Sequence, residues 1–154
     1  MTKYHLTPLF TALCLCVSAT AMAEEISVST TEEFRAAVGG ANPGDVILMQ
    51  AGTYRLDAKL NLNRAGESNA PITIRAASDQ APLIESNTVE ALNISAPHWT
   101  LENLHFVGVC QNHSSCEHAL HIVRAADHTT VRGCTFQNFN AQIKGNGEPG
   151  GENG

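Results

Sequence analysis

The pattern that sets the architecture runs from Ala91-Leu92-Asn93-Ile94 to Trp99-Thr100-Leu101-Glu102-Asn103-Leu104-His105-Phe106. It returns from Ala119-Leu120-His121-Ile122 to Thr129-Thr130-Val131-Arg132-Gly133-Cys134-Thr135-Phe136. Ala91 aligns with Ala119 and Leu104 with Cys134, so the bend after Ile122 is slightly longer than the bend after Ile94. Repeat units of this kind bury their apolar side chains only by stacking on neighbouring units. The sequence therefore predicts two successive coils of a parallel β-helix.

Period-two alternation within each copy predicts which side chains face the interior. Asn103 and Gly133 fall at the same turn, where residues that tolerate positive φ are favoured. The stacked interior pairs are expected to be Leu92 with Leu120, Ile94 with Ile122, Leu101 with Val131, Leu104 with Cys134, and Phe106 with Phe136.

A short helix is predicted before the first coil. Ile26 and Val28 indicate a strand, and Thr30 followed by Glu33 is typical of a capping box that opens a helix over residues 30–38. Gly39-Gly40 is expected to end it. A helix in this place covers the open end of a solenoid and hides its strand edges. The fold class predicted is all-β, with this helix as the N-terminal cap.

Residues 1–23 are typical of a secretory signal peptide. They contain Lys3, the apolar stretch Leu9 to Val17 and the small-residue ending Ala21-Met22-Ala23, so the mature chain is expected to begin near Glu24. No later segment reaches the roughly 20 apolar residues of a bilayer-spanning helix. We expect a secreted or periplasmic protein with no membrane association after signal removal.

Residues 24–154 are predicted to form one domain that is an incomplete solenoid. Two or three coils bury little core, so we expect a truncated β-helix, the N-terminal cap and first coils of something longer. The formal net charge of the full chain is −6, which disfavours a nucleic-acid partner.

Three cysteines remain after the predicted signal. Cys110 and Cys116 flank a short polar loop, where a local disulfide is expected in an exported protein, and Cys134 is expected to pack inward as a buried free thiol. One alternative is a zinc site built from Cys110, Cys116, His118 and His121, although alternation predicts that the two histidines face opposite sides. Free thiols are the other alternative.

The order of these segments resembles the start of right-handed, single-stranded parallel β-helix polysaccharide lyases, the chondroitinase B and alginate lyase group. The resemblance is carried by the cap helix, Pro43-Gly44-Asp45-Val46-Ile47, Ala51-Gly52-Thr53-Tyr54, Pro71-Ile72-Thr73-Ile74 and the doubled coils. It implies calcium-assisted β-elimination of uronic acid polymers. The calcium ligands and the catalytic lysine and arginine of that group lie in later coils and match no residue here. Ca²⁺ is therefore expected only in a full-length relative, and no cofactor is expected in this chain.

The resemblance also implies that substrate lies along one sheet of the solenoid. The segment Ala141-Gln142-Ile143-Lys144 aligns with Leu120-His121-Ile122-Val123, which sets Gln142 beside His121. The outward column of that sheet is then Asn93, His121 and Gln142, with Lys144 beside it. These groups are predicted to hydrogen-bond sugar hydroxyls and to pair with a carboxylate. The alternative is that they are solvated strand positions without a ligand.

The partner expected from these observations is an acidic polysaccharide or another glycan. Whether the chain is itself an enzyme stays open. Two rival functions share the predicted fold: a noncatalytic carbohydrate-binding or structural module, and a periplasmic metal-handling protein. Fold alone does not separate them.

Overall fold

The strands of this chain wind as a parallel β-helix of about four turns. The computed structural model describes residues 22–147; residues 1–21 of the predicted signal peptide and residues 148–154 lie outside the described part. Each coil contributes three short strands, and every strand pair is parallel.

One strand and one helix precede the first coil, β1 (Glu25–Val28) and α1 (Thr31–Gly40). A 3₁₀ turn, His113–Ser115, lies in the third coil. The coils are formed by β2 (Val46–Met49), β3 (Thr53–Leu56) and β4 (Leu60–Leu62), then β5 (Ile72–Ala76), β6 (Leu83–Ser86) and β7 (Glu90–Ile94), then β8 (Trp99–Glu102), β9 (His105–Gly108) and β10 (His118–Arg124), then β11 (Thr130–Arg132), β12 (Thr135–Gln137) and β13 (Ala141–Gly147).

Corresponding strands of successive coils stack into three sheets. Sheet 1 has the order β1-β2-β5-β8-β11, sheet 2 the order β3-β6-β9-β12, and sheet 3 the order β4-β7-β10-β13. The chain passes through sheets 1, 2 and 3 in every coil. Polar side chains on the outer face of one sheet therefore line up along the solenoid axis.

The predicted interior stacking is confirmed. Leu120 pairs with Leu92, and Phe136 pairs with Phe106 with ring centroids 5.3 Å apart. Val131 likewise pairs with Leu101. Like side chains lie over like, because equivalent strands of adjacent coils share one register. The interior is a column of aliphatic and aromatic layers.

The cap helix forms as predicted at its start and runs two residues further at its end. Thr30 is the N-cap, its side chain accepts from the Glu33 backbone at 3.1 Å, and the reciprocal bond completes a capping box. Phe34 is buried and packs edge-on against Tyr54 at 5.9 Å. Neither Gly39 nor Gly40 adopts positive φ, so both continue the helix instead of ending it. No helix within residues 22–147 has the length and apolar character to cross a bilayer.

The predicted turn shared by Asn103 and Gly133 is confirmed. Their φ values are 55° and 62°, in the left-handed region. The Asn103 backbone nitrogen donates to the Arg132 carbonyl at 3.0 Å, so the two turns stack directly. A Cβ atom on Gly133 would lie closer to Oδ1 of Asn103 than van der Waals contact permits, which makes glycine necessary in the upper turn.

The predicted alignment of the last strand is wrong by two residues. Ile143 pairs with Leu120, not with Ile122, and Lys144 therefore pairs with His121. A shift of two residues preserves which side chains face inward, so alternation alone gives no preference between the two registers.

Cys134 is only partly buried, whereas the prediction made it a buried residue. Val131 and Phe136 of the same coil are also partly buried. The reason is that β11, β12 and β13 pair on one side only within residues 22–147. The fourth coil therefore has less cover than the second and third.

Candidate functional site

The outer face of sheet 3 carries a polar column in strict register. Asn61 pairs with Asn93, Asn93 with His121, and His121 with Lys144. Three of the four predicted site residues, Asn93, His121 and Lys144, are therefore brought together. Gln142 lies two positions earlier on β13 and falls outside this column. The predicted column, which placed Gln142 beside His121, is therefore wrong at this position.

A second polar row lies on the same face because the alternation breaks inside two strands. Ala91 and Leu92 are consecutive and both fully buried, so Glu90 and Asn93 both stay at the surface of the coil. His118 and His121 likewise flank a fully buried pair, Ala119-Leu120, and their rings are 5.6 Å apart, but His118 is itself buried at 8% exposure. The prediction that these two histidines face opposite sides is wrong for this reason.

Glu90 is the centre of a hydrogen-bonded network on this face. Its Oε1 lies 2.6 Å from Nδ1 of His121, and its Oε2 accepts from Nζ of Lys59 at 3.1 Å. His121 Nε2 lies 2.8 Å from Oδ1 of Asn146 on β13. The imidazole is thus held at both nitrogens and its plane is fixed.

The pKa of Glu90 is lowered by this arrangement. Burial by itself raises the pKa of the carboxyl group, but the hydrogen bonds and positive charges of Lys59 and His121 outweigh that effect. Glu90 is therefore a carboxylate with one hydrogen-bond partner on each oxygen.

The sheet 3 face consists of the two polar rows and their flanking groups. Reasoning from sequence missed Glu90, Lys59 and Asn146. The signal for Glu90 was present in the repeated order polar-Ala-Leu-polar, at Glu90 and again at His118. The members of the face are Lys59, Asn61, Glu90, Asn93, His118, His121, Lys144 and Asn146.

The loop before β10 lies beside this face. The Sγ atoms of Cys110 and Cys116 are at bonding distance, 1.99 Å, across the loop. The loop is anchored where it begins and ends: Val109 donates to the Ser86 carbonyl at 2.8 Å, and Asn140 donates to the Cys116 carbonyl at 2.9 Å. A short, bridged loop of this kind presents a fixed edge to sheet 3.

The donor groups present do not fit a metal site. Cys110 and Cys116 are bonded to each other in the structure, so the zinc site drawn from them with His118 and His121 is not assembled. No three His, Cys, Asp or Glu side chains within residues 22–147 come together in a metal-binding arrangement. Calcium prefers several carboxylate and carbonyl oxygens, and Glu90 is already bound by Lys59 and His121. The side chains of the sheet 3 face therefore do not suit a calcium ion.

Positive charge on the sheet 3 face is supplied by Lys59 and Lys144. Lys59 is bound to Glu90, and Lys144 is exposed and makes no ion pair within the part of the chain that the structure describes. Three cations on the other two sheets belong to ion pairs, Arg55 with Glu85, Arg75 with Glu25 and Arg132 with Glu102. Lys144 is therefore a cation of the sheet 3 face that lies outside these ion pairs and is accessible to an anionic ligand.

Comparison with solved structures shows the class of fold to which this chain belongs. The chain has the fold of β-helix polysaccharide lyases: an alginate lyase from Paenibacillus sp. str. FPU-7 matches with a TM-score of 0.56 and 19% identity over 71% of this chain and 43% of that one. The PL6 family alginate lyase AlyGC matches with a TM-score of 0.57 and 24% identity over 73% of this chain and 15% of that one. Comparison with curated protein sequences gives no match.

The family follows from a sequence model. The model of the Pel9A-like, right-handed beta helix region matches residues 15–150, and the chain belongs to this family. The resemblance drawn from the sequence is thereby confirmed, and so is the right hand of the helix. The chain spans less than half the length of either lyase that it matches.

Proposed function

We propose that this chain is part of an exported, polysaccharide-active β-helix protein and that the sheet 3 face binds an acidic polysaccharide of the uronic acid class. The observation that carries the proposal is the in-register column Asn61, Asn93, His121 and Lys144. Strand spacing of about 4.8 Å makes this column about 14 Å long, parallel to the solenoid axis. An extended glycan chain has the shape to lie along it.

Each group of the column has a role suited to such a ligand. The Asn61 and Asn93 amides both donate and accept hydrogen bonds, which matches sugar hydroxyls. Lys144 provides a cation for a uronate carboxylate. His121 is held by Glu90 and Asn146, so its ring edge is a fixed wall of the binding surface and not a mobile side chain.

Cleavage by β-elimination is proposed for a longer protein that contains this chain. The alginate lyases that share the fold are longer than this chain. In the residues described, the carboxylate that contacts the column, Glu90, is bound on both oxygens. That occupation favours a binding role for these coils, and it equally supports a noncatalytic carbohydrate-binding module.

The test is binding of the mature chain, residues 24–154, to alginate, pectate and chondroitin sulfate, measured by titration calorimetry with dextran as a neutral comparison. Binding of at least one acidic polymer and none of dextran is expected. The Lys144→Gln variant should bind about fivefold more weakly, because an exposed ion pair contributes up to about 1 kcal/mol.

Two controls make the test specific. Arg55→Gln removes an exposed cation from sheet 2, and Gln142→Ala removes a polar group just outside the column; both should leave affinity unchanged. Equal losses in Lys144→Gln and Arg55→Gln would contradict a sheet 3 site. Formation of unsaturated product by the mature chain with added calcium, followed by ultraviolet absorbance, would overturn the assignment of chemistry to later coils.

A further inference from the structure

The backbone nitrogen of Glu24 is held by a buried carboxylate. It donates to Oδ1 of Asp45 at 2.9 Å, and Asp45 is only 2% exposed. The other carboxylate oxygen, Oδ2, accepts from the Asn42 backbone at 2.8 Å. The carbonyl of Glu24 accepts from the Val46 backbone at 2.8 Å. Both peptide groups of Glu24 are thus fixed at the start of β1.

The same nitrogen lies at the predicted processing point. The signal sequence ends at Ala21-Met22-Ala23, so cleavage is expected between Ala23 and Glu24. We propose that signal removal converts the Glu24 nitrogen into the N-terminal ammonium and that Asp45 is the binding site for it. Processing then creates a partly buried ion pair that the unprocessed chain lacks.

The chemical step is an ordinary peptide hydrolysis. The C–N bond between Ala23 and Glu24 breaks, water supplies the hydroxyl group to the Ala23 carbonyl carbon, and the released amine takes up a proton. An α-amine has an ordinary pKa near 7.7–8.0, so it is mostly charged at neutral pH. A neutral N–H donor is thereby replaced at one place by a cationic donor, and charge-assisted hydrogen bonds are about twice as strong as neutral ones.

Because of its location, this ion pair stabilises the edge of sheet 1. β1 is an edge strand that pairs only with β2 within residues 22–147, starting at Glu25 with Val46. Asp45 directly precedes β2, so the ion pair joins the beginning of the edge strand to the beginning of its partner. The nearest charged side chain along β1, Glu25, is itself paired with Arg75. The processed chain therefore holds its first strand more firmly than the precursor.

The first arm of the test is identification of the N-terminal residue. The full chain is expressed with its own leader in a bacterial host, and the exported product is examined by intact mass and N-terminal sequencing. A product that begins at Glu24 is expected. Any other first residue would overturn the proposal.

The second arm compares three forms of the mature chain: one beginning at Glu24, the same form acetylated at the α-amine, and one beginning at Ala23. Acetylation keeps the N–H donor and removes only the charge. The acetylated form and the Ala23 form should each melt about 4 °C lower at pH 7. The gap should close above about pH 10, because a paired amine contributes stability below its pKa and loses it as the amine deprotonates.

Asp45→Asn supplies the matched control, since it retains an acceptor oxygen for Asn42 and removes the charge. In this variant the three forms should melt together. Equal melting temperatures in the unsubstituted protein, or the same gap in Asp45→Asn, would overturn the proposal. The acetylation comparison does not depend on the variant, so the test stands even if Asp45→Asn fails to fold. Polysaccharide binding plays no part in either arm.

Discussion

Glu90 is the residue on which the organisation of the sheet 3 face depends. Its carboxylate joins Lys59 to His121 from opposite sides, and the pKa of Glu90 is lowered because these partners outweigh its partial burial. Removing this charge leaves a partly buried imidazole and a lysine without their shared anion. We expect Glu90→Gln to lower the free energy of unfolding at pH 7 by about 1 kcal/mol, measured by urea denaturation.

The pH dependence of this effect has a definite sign. A carboxyl group with a lowered folded-state pKa contributes its full stability above the ordinary value of about 4.3, and loses it as pH falls through the lowered pKa. The difference between the unsubstituted protein and Glu90→Gln should therefore shrink below about pH 4. Glu85 pairs with Arg55, which is 79% exposed. Glu85→Gln is therefore the comparison variant, and it should lower the free energy of unfolding by less than Glu90→Gln does. A larger loss in Glu85→Gln would contradict the importance given to Glu90.

Gly133 offers a residue-scale test of coil stacking. Its φ is +62°, and a Cβ atom there would meet Oδ1 of Asn103 in the turn below. We expect Gly133→Ala to lower the melting temperature, at a cost of about 1–2 kcal/mol from strain and displacement of Asn103.

Gly39→Ala is the opposite case. Gly39 lies in α1 with ordinary helical φ and nothing within 4 Å of the added methyl group. This variant should be neutral or more stable by up to about 1 kcal/mol, because alanine favours the helix. If both glycine variants lost stability equally, the stacked turn would not explain the effect at Gly133.

At the scale of elements, the strands were predictable from the sequence, but the break in alternation within β7 and β10 was not. Alternation located the interior residues of β7 to β10, and the shared turn fixed their alignment. The buried doublet Ala91-Leu92 reverses the alternation within β7, and Ala119-Leu120 does the same within β10. A prediction based on a strict period of two therefore placed the His118 side chain on the wrong side of the strand and did not include Glu90 in the site. In both strands the first residue of the buried doublet is alanine.

The register of β13 needed information that the sequence does not contain. Pairing of Ile143 with Leu120 or with Ile122 gives the same inward pattern, and the loop before β13 is free to differ by two residues. The consequence is functional, since this register decides whether Lys144 or Gln142 joins His121.

A pair of truncations on sheet 3 tests how burial is distributed across its strands. Leu120 on β10 is fully buried between β7 and β13, whereas Ile143 on the edge strand β13 is 44% exposed. Leu120→Ala should cost about 3 kcal/mol of unfolding free energy and Ile143→Ala less than about 1 kcal/mol, measured by urea denaturation. Similar costs at the two positions would mean that β13 is as enclosed as β10.

For the whole molecule, stacking of coils makes stability a sum of nearest-neighbour terms. Each coil contacts only the coil before and the coil after it, which is the behaviour of a one-dimensional array. The architecture was predictable because this stacking imposes self-similarity from one coil to the next, as in the copies that begin at Ala91 and Ala119. The binding column was only partly predictable, because it depends on lateral register between coils and not on any single segment.

Nearest-neighbour coupling predicts that the fourth coil opens before the rest of the solenoid. Cys134 reports on this coil: it is the free thiol among residues 22–147, it is partly buried, and burial raises its pKa and slows its reaction. In the mature chain we expect Cys134 to be alkylated at urea concentrations well below the global unfolding midpoint. Phe136→Ala, which removes the stack on Phe106, should accelerate alkylation of Cys134 about tenfold.

The control is Ile47→Ala in the first coil, which should lower the global unfolding midpoint while leaving the rate of Cys134 alkylation at low urea nearly unchanged. Labelling that appears only within the global transition would show instead that all four coils unfold as one unit.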